Sequence, residues 1–319
     1  YEKEYFYLQT VNGYQWDDFQ LHSFQAIKKG DNLLVVAPTS SGKTAVAKYA
    51  TICNLVKGHR VIYTTPIKSL SNEKYQEMKE VLAPLNIQPG LITGDQKINV
   101  DSQFLIMTAE ILCNALFMLK EKKETKNQYE LDKEFISTVG CVVIDEIHFI
   151  SDSSRGHIWE TTLVLLSEKI QIIGLSATID SPEEFAGWIG RIKKHDITLV
   201  KKYDRPVPLE YAIYDGEHVV PIMNNEIGYN SHGFSTALKA IEKMDTMYKK
   251  NKTNKVTNTL NDFISYSKKH NLLQLCFIVF SKKNCEKFAE SVSVSLISGK
   301  DSVLAVKALE SKMGIYLKD

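Results

Sequence analysis

The chain has 319 residues, 44% apolar and 24% charged, and its 39 Lys and Arg against 38 Asp and Glu leave a net charge of +1. That length suits about two domains, and the composition is that of an ordinary globular protein with chain enough for a proper core. The near-neutral balance excludes a simple polycation, so any surface for nucleic acid must be a local patch.

No apolar run approaches the ~18 residues that a membrane span requires. The first residues, YEKEYFYLQT, lack the basic-then-apolar pattern of a signal peptide. The five cysteines, at 53, 113, 141, 276 and 285, show no C-x-x-C pair and no zinc spacing. They read as buried or free thiols of a reducing compartment, and Cys141 suits a small core position. The expectation is an intracellular protein without a membrane partner, its compartment (nuclear, cytoplasmic or viral) left open.

In chain order, FQLHSFQAI (19–27) comes first and sets Gln25 just before an apolar run. From 32 to about 214, short apolar runs then alternate with helical stretches. The runs are LLVVA (33–37), RVIYTT (60–65), GLIT (90–93), FLIMT (104–108), CVVID (141–145), IQIIGLS (170–176) and LEYAIY (209–214). They are apolar throughout rather than alternating, as parallel strands covered on both faces require. Strand–helix repetition predicts a doubly wound parallel α/β domain whose ligand sits beyond the carboxyl ends of the strands. Two polar tracts interrupt it. KEKKETKNQYELDKEF (120–135) reads as a charged insertion, and KKNKTNKVTNTLND (249–262) as a solvated linker or mobile loop. LCFIVFSKKNCEKFAESV (275–292) then predicts a buried strand, a serine N-cap and a helix, the opening unit of a second α/β domain. Too little chain follows to complete that domain, so the expectation is a truncated chain.

The chemistry begins at APTSSGKT (37–44), between an apolar run and the helical stretch AVAKYATICNLVKG. Small residues let backbone amides converge on phosphate oxygens, Lys43 supplies a point charge, and Thr44 offers a hydroxyl to Mg²⁺. The following helix adds its N-terminal dipole. Ala37 stands where such loops usually carry glycine. About 100 residues on, CVVIDEIHF (141–149) ends an apolar run in Asp145-Glu146, two carboxylates at the tip of a strand on the same edge. Asp145 suits a magnesium shell and Glu146 suits the orientation and polarisation of an attacking water. GLSAT (174–178) brings Ser176 and Thr178 to that rim. His148 reads as structural or coupling rather than metal-binding, since no partner spacing supports a ligand set.

The ordered set Gln25, APTSSGKT, TTPIKSLSNEKY (64–75), TGD (93–95), MTAEIL (107–112), DEIH (145–148) and SAT (176–178) resembles the superfamily-two helicases. SSRGHIWETTLVLLSEKIQIIGLSATIDSPEEFAGWIGR (153–191) and RPVPLEYAIY (205–214) are similar to the superkiller-type DEVH-box RNA helicases, which feed RNA to the exosome. The resemblance covers residues 15 to 215 closely and returns at IVFSKKNCEKFA (278–289), which is similar to the first motif of that family's second RecA-like domain. It implies a RecA-like ATP-binding helicase domain of the P-loop NTPase type over 1–205. A connecting segment with a mobile polar loop would follow over 206–270, and the beginning of an incomplete second RecA-like domain over 271–319.

By position, the resemblance implies that Gln25 contacts adenine and that the loop Ala37, Pro38, Thr39, Ser40, Ser41, Gly42, Lys43 and Thr44 holds ATP. Thr44 and Asp145 would hold magnesium, Lys43, Asp145 and Glu146 would be catalytic, and Ser176 and Thr178 would couple nucleotide state to strand binding. Pro66, Lys68, Asn72, Gly94, Thr108 and Glu110 would lie at the nucleic-acid backbone. The physical reading agrees for Thr65-Pro66 and Thr93-Gly94, strand-to-loop turns able to offer amides and hydroxyls to phosphates. Ile147 replaces the family's usual valine. No arginine-rich motif follows residue 205, and that motif supplies an arginine finger worth ~10³–10⁵-fold in related phosphoryl transfers.

The expected function is therefore an ATP-dependent RNA helicase core, here a fragment that binds ATP and hydrolyses it poorly. The expected partners are RNA, single-stranded or with a 3′ overhang, and the RNA-decay machinery, with the chain itself a monomer. Two alternatives stand beside it: a DNA helicase or translocase on the same core, and an ATP-binding scaffold that does not hydrolyse. The residues themselves do not separate RNA from DNA.

Overall fold

Asp17 starts the first helix, α1 (Asp18–Lys29), with a reciprocal pair of bonds. Its carboxylate accepts from Phe19 N at 3.2 Å, and Gln20 Oε1 accepts from Asp17 N at 3.0 Å. Gly30, at φ 88°, closes the helix in the left-handed region. The computed structural model describes residues 15–120, 131–205, 207–224, 228–251, 255–272, 274–296 and 299–316. It parts into two compact units between residues 206 and 207.

In the first unit, after α1, the order is β1 (Asn32–Val36), α2 (Lys43–Val56), β2 (Arg60–Thr65), α3 (Lys68–Leu82), β3 (Gly90–Ile92), β4 (Lys97–Ile98) and β5 (Phe104–Thr108). There follow α4 (Ala109–Lys120), α5 (Lys133–Ser137), β6 (Val139–Ile144), α6 (His157–Leu165), β7 (Gln171–Ser176), α7 (Pro182–Lys193) and β8 (Ile197–Lys201). The strands form one sheet in the order β4-β3-β5-β2-β6-β7-β1-β8. Only β4 runs antiparallel to its neighbour; the other pairings are parallel. The register sets Val36 beside Ser176, Thr64 beside Ile144 and Thr65 beside Thr108, so the carboxyl ends line up along one rim. This is the parallel α/β sheet of a RecA-like fold.

Alternate side chains of each strand serve two different cores. Leu33, Val35, Val61, Tyr63, Phe104, Ile106, Cys141 and Val143 pack on one face with α1, α2 and α3. Leu34, Val36, Ile62, Leu105, Met107, Val142 and Ile144 pack on the other with α4, α6 and α7. Both faces are covered, which is why the runs are apolar at every position. Each buried aliphatic side chain contributes about 1.5–3 kcal/mol. Cys141 is fully buried and burial drives its thiol pKa up, the behaviour of a core residue. No helix among the described residues is long and apolar enough to cross a membrane.

Four sequence expectations change here. LEYAIY is not part of the parallel sheet. Its strand, β9 (Tyr211–Tyr214), pairs antiparallel with β10 (Val219–Asn224), which also holds β11 (Gly228–Tyr229), and all three belong to the second unit. The tract 249–262 is largely helical: α8 (Ser231–Asn251) enters it and α9 (Lys255–Lys269) leaves it. Leu260, Phe263, Ile264 and Ser267 keep an i, i+3, i+4, i+7 spacing inside a polar composition, and Ile264 is buried. The run 275–280 forms no strand, and Ile278 and Phe280 are 82% and 103% exposed. A strand needs a hydrogen-bonded neighbour, and among the described residues none pairs with this run. The helix behind it does form: α10 (Lys282–Glu290) follows the predicted cap, Ser281, whose hydroxyl accepts from Asn284 N at 3.4 Å. α11 (Gly299–Tyr316) ends the described chain. Finally, β8 is a strand that the apolar runs did not indicate, since ITLVK is only half-buried at the edge of the sheet. YEKEYFYLQT and residues 121–130 of the charged insertion lie outside the described residues.

A candidate nucleotide site at the carboxyl rim of the sheet

The loop after β1 is shaped by two left-handed residues, Ser40 at φ 65° and Gly42 at φ 92°. Glycine takes that conformation without strain, so Gly42 lets the chain reverse into α2. Ala37 N donates to Ser176 O at 3.1 Å, which docks the start of the loop on the tip of β7. Lys43 folds back under the loop and donates to Ala37 O at 2.7 Å and Pro38 O at 3.0 Å. Ser41 Oγ and Ser176 Oγ are buried here without a hydrogen-bond partner. Thr44 Oγ1 accepts from Lys74 Nζ at 3.5 Å.

β6 delivers the acids. Asp145 N extends the ladder by donating to Thr64 O at 3.0 Å. Each of its carboxylate oxygens accepts one hydrogen bond: Oδ2 from Tyr63 Oη at 2.7 Å and Oδ1 from Glu146 N at 3.0 Å. Glu146 then turns out of the strand at φ 51°. Burial raises the Glu146 carboxyl above its ordinary value, and the Asp145 carboxylate raises it further, against His148, Lys43 and Lys74. His148 Nδ1 lies 3.3 Å from Glu146 Oε2 without an aligned hydrogen bond, so both atoms are buried and unpartnered.

β1, β7 and β6 stand side by side in the sheet, which brings the loop and the acids to one stretch of the rim. Burial lowers the Lys43 pKa, while the Glu146 and Asp145 carboxylates, in that order, act to raise it. A cation, two carboxylates and two buried hydroxyls with nothing to bond therefore meet at one rim. That donor set fits a magnesium-bound triphosphate: hydroxyls and an ammonium for phosphate oxygens, carboxylates for a hard cation.

Two features of the site were not anticipated. Gln20 is buried and donates from Nε2 to Gly42 O at 3.1 Å, whereas Gln25 is exposed on α1. Gln25 lines a cavity of about 760 Å³ with Phe19, His22, Lys202 and Tyr203. The second is an ion cluster in which Glu77 pairs with Lys48 at 2.6 Å and Lys74 at 2.9 Å, joining α2 to α3 beside Thr44. Only the i, i+3 spacing of Lys74 and Glu77 hinted at it.

The residues read as contacts to the nucleic-acid backbone fall at the tips of β2, β3 and β5 and on the helices behind them. Thr65 Oγ1 bonds to Ser71 Oγ at 2.6 Å and to Ile67 O at 3.1 Å, shaping the Pro66 turn. Lys68 Nζ pairs with Asp95 Oδ2 at 2.6 Å, and a Cβ on Gly94 would stand 3.0 Å from that ammonium. Thr108 is buried at the end of β5, and Asn72 is exposed on α3. Glu110, in the first turn of α4, pairs with Arg155, which also donates to Pro66 O at 2.6 Å. Ser176 is buried and Thr178 is exposed.

Residues 17–185 match the DEAD/DEAH box helicase family, and the chain belongs to that family. Its relatives within that class are DExH RNA helicases of the Ski2 and MTR4 type, in line with the resemblance carried by the motifs. It is 39% identical over 211 residues to antiviral helicase SKI2 of Saccharomyces cerevisiae, which covers 66% of this chain and 15% of that protein. It is 34% identical over 283 residues to exosome RNA helicase MTR4 of Homo sapiens, covering 86% of this chain and 25% of that one. The chain thus spans 15–25% of the length of these two relatives. The helicase MrfA bound to DNA and AMPPNP shares the fold at a TM-score of 0.52 and 21% identity, over 65% of this chain and 30% of that one.

Proposed function

We propose that the chain carries the first nucleotide-binding half of an ATP-dependent RNA helicase core, which couples ATP hydrolysis to movement along single-stranded RNA. The observation that carries this is the meeting of Lys43, Asp145 and Glu146 with the unpartnered hydroxyls of Ser41 and Ser176. Residues 37–44 bind the phosphates, with Lys43 answering the charge of the β and γ groups. Thr44 and Asp145 would hold magnesium, which would neutralise charge on phosphate oxygens. Tyr63 and the Glu146 amide fix both Asp145 oxygens in place. Glu146 takes a proton from the attacking water through its carboxylate. Its raised pKa makes it a stronger base than an ordinary glutamate.

RNA rather than DNA is the reading that the relatives' names, which describe RNA helicases, support. An exosome-type RNA-decay machinery as partner and an intracellular site of action belong to the same reading, and the relative named an exosome RNA helicase supports the first of them. Hydrolysis by these 319 residues is slow, because no arginine follows Arg205 to answer transition-state charge, an element worth ~10³–10⁵-fold. ATP turnover with single-stranded RNA or DNA at matched salt tests the reading, since backbone contacts are strongly salt-dependent. The expected outcome is ATP binding, slow turnover and a preference for RNA. Rapid RNA-stimulated turnover would remove the slow-hydrolysis part, and stimulation by DNA alone would replace the substrate.

A further inference from the structure

Arg155 lies outside every motif that the phosphate chemistry uses, yet it is tied to two separate turns of the rim. Its Nη2 donates to Pro66 O at 2.6 Å and pairs with the Glu110 carboxylate. One guanidinium therefore joins the turn after β2 to the first turn of α4. Neither connection is local, since the partners stand 89 and 45 residues away in sequence.

The base of Arg155 is as firmly held as its tip. Asp152 Oδ1 accepts from Ser154 N at 2.9 Å, Ser154 Oγ at 2.6 Å and Arg155 N at 2.8 Å. Gly156 N donates to Asp152 O at 2.8 Å. A Cβ on Gly156 would lie 2.2 Å from Ile150 O, so backbone fills the space a side chain would need. The guanidinium also sits 5.6 Å from the Trp159 ring, and Trp159 stacks at 5.8 Å on Phe149. Phe149 belongs to the short 3₁₀ turn Ile147–Ser151, which begins immediately after Glu146. Packed side chains and one rigid turn therefore run without a break from the acid pair to Pro66 and Glu110.

Glu110 adds a charge argument. A bare carboxylate at a rim meant for phosphates repels them, and the paired guanidinium cancels that charge while leaving further N–H groups free of the pair. Building on the RNA-helicase reading, we infer that Arg155 is a positioning residue: it locks the Pro66 and Glu110 turns to the acid-pair turn, so that nucleotide state at Glu146 is felt as RNA affinity at the rim. Lysine at 155 keeps the charge and loses the planar guanidinium that meets both acceptors through Nη2 and faces the Trp159 ring.

The test measures the affinity of the full chain for a fluorescent single-stranded oligoribonucleotide, with and without a non-hydrolysable ATP analogue. Nucleotide affinity is measured separately by calorimetry. In Arg155→Lys the nucleotide affinity stays unchanged, while the factor by which nucleotide alters RNA affinity falls by about threefold or more. Glu110→Gln gives the same loss, and the double variant is no worse than either single one, as members of one pair require. Wild-type coupling in Arg155→Lys, or additive losses in the double variant, overturns the inference and leaves the helicase reading standing. A wild-type chain that binds nucleotide and no oligoribonucleotide removes that reading, and this inference with it. Should Arg155→Lys lower the melting temperature, Glu110→Gln, which keeps the guanidinium on Pro66 O, reads the same coupling in an intact turn.

Discussion

Lys43→Ala is the sharpest test of the nucleotide site, because the structure assigns the ammonium two competing tasks. In the free protein it donates to Ala37 O and Pro38 O, two hydrogen bonds of about 1 kcal/mol each. Against that stands the cost of holding a cation in a half-buried place, visible as a pKa below the usual 10.5. The two effects oppose each other, so removing the side chain shifts the melting temperature by about 3 °C or less. With a triphosphate bound, the carbonyl bonds give way to charge-assisted bonds worth about 1.5–3 kcal/mol each. The net gain over the carbonyl bonds given up is about 2 kcal/mol, or roughly thirtyfold in Kd. Titration calorimetry with ATP and magnesium reads the affinity, and a thermal melt of the same sample reads the fold. Lys43→Met keeps the buried stem and guards against a packing defect. An unchanged dissociation constant in a folded variant would refute the phosphate-loop assignment.

ATP affinity should fall as pH rises through the Lys43 pKa, and at a lower pH than an ordinary lysine demands, because burial favours the neutral amine. Calorimetry across an alkaline series checks this; a flat profile would mean that the ammonium does not meet the phosphates. Tyr63→Phe leaves Asp145 Oδ2 without its donor and should destabilise the first unit by about 1.5 kcal/mol in a urea melt. For Glu77, burial works to raise the carboxyl but Lys48 and Lys74 outweigh it, so its folded pKa lies below 4.5. A depressed carboxyl stabilises above its unfolded pKa and loses that contribution as pH falls through the folded value. Glu77→Gln should therefore cost about 1 kcal/mol at neutral pH and nothing in strong acid; an equal cost in both would remove the ion cluster from the account. Gly156→Ala forces a Cβ to within 2.2 Å of Ile150 O and 2.7 Å of Asp152 O, and should destabilise by about 3 kcal/mol.

The parallel sheet was legible because its cause is written in every strand. β1, β2, β5 and β6 are covered on both faces, so each position of LLVV, VIYTT, FLIMT and VVI must be apolar or small. The same rule misled at 275–280, where LCFIVF is as apolar as a buried strand yet has no neighbour among the described residues. Composition reports what a segment would do if covered, not whether a cover exists. It hid α9 for the opposite reason, since a narrow apolar stripe is outvoted by the lysines and asparagines around it. β8 escaped notice because an edge strand keeps one side in water.

Within the candidate site, the legible residues are those whose own side chain would carry the proposed chemistry. Lys43, Asp145 and Glu146 announce themselves because an ammonium and a carboxylate pair have few other reasons to stand after a strand. Gln20 and Arg155 did not, and they share a reason: each holds a backbone carbonyl, Gly42 O and Pro66 O respectively. A carbonyl oxygen is the same at every position, so nothing in the partner's identity marks the contact. Lys193 obeys the same logic away from the site, buried with its ammonium on Leu166 O and its pKa pulled down to about 8 by burial. Residues that grip the main chain are therefore the systematic blind spot of reading by type and spacing. At the rim, such grips hold the shape of the Gly42 and Pro66 turns independently of any ligand.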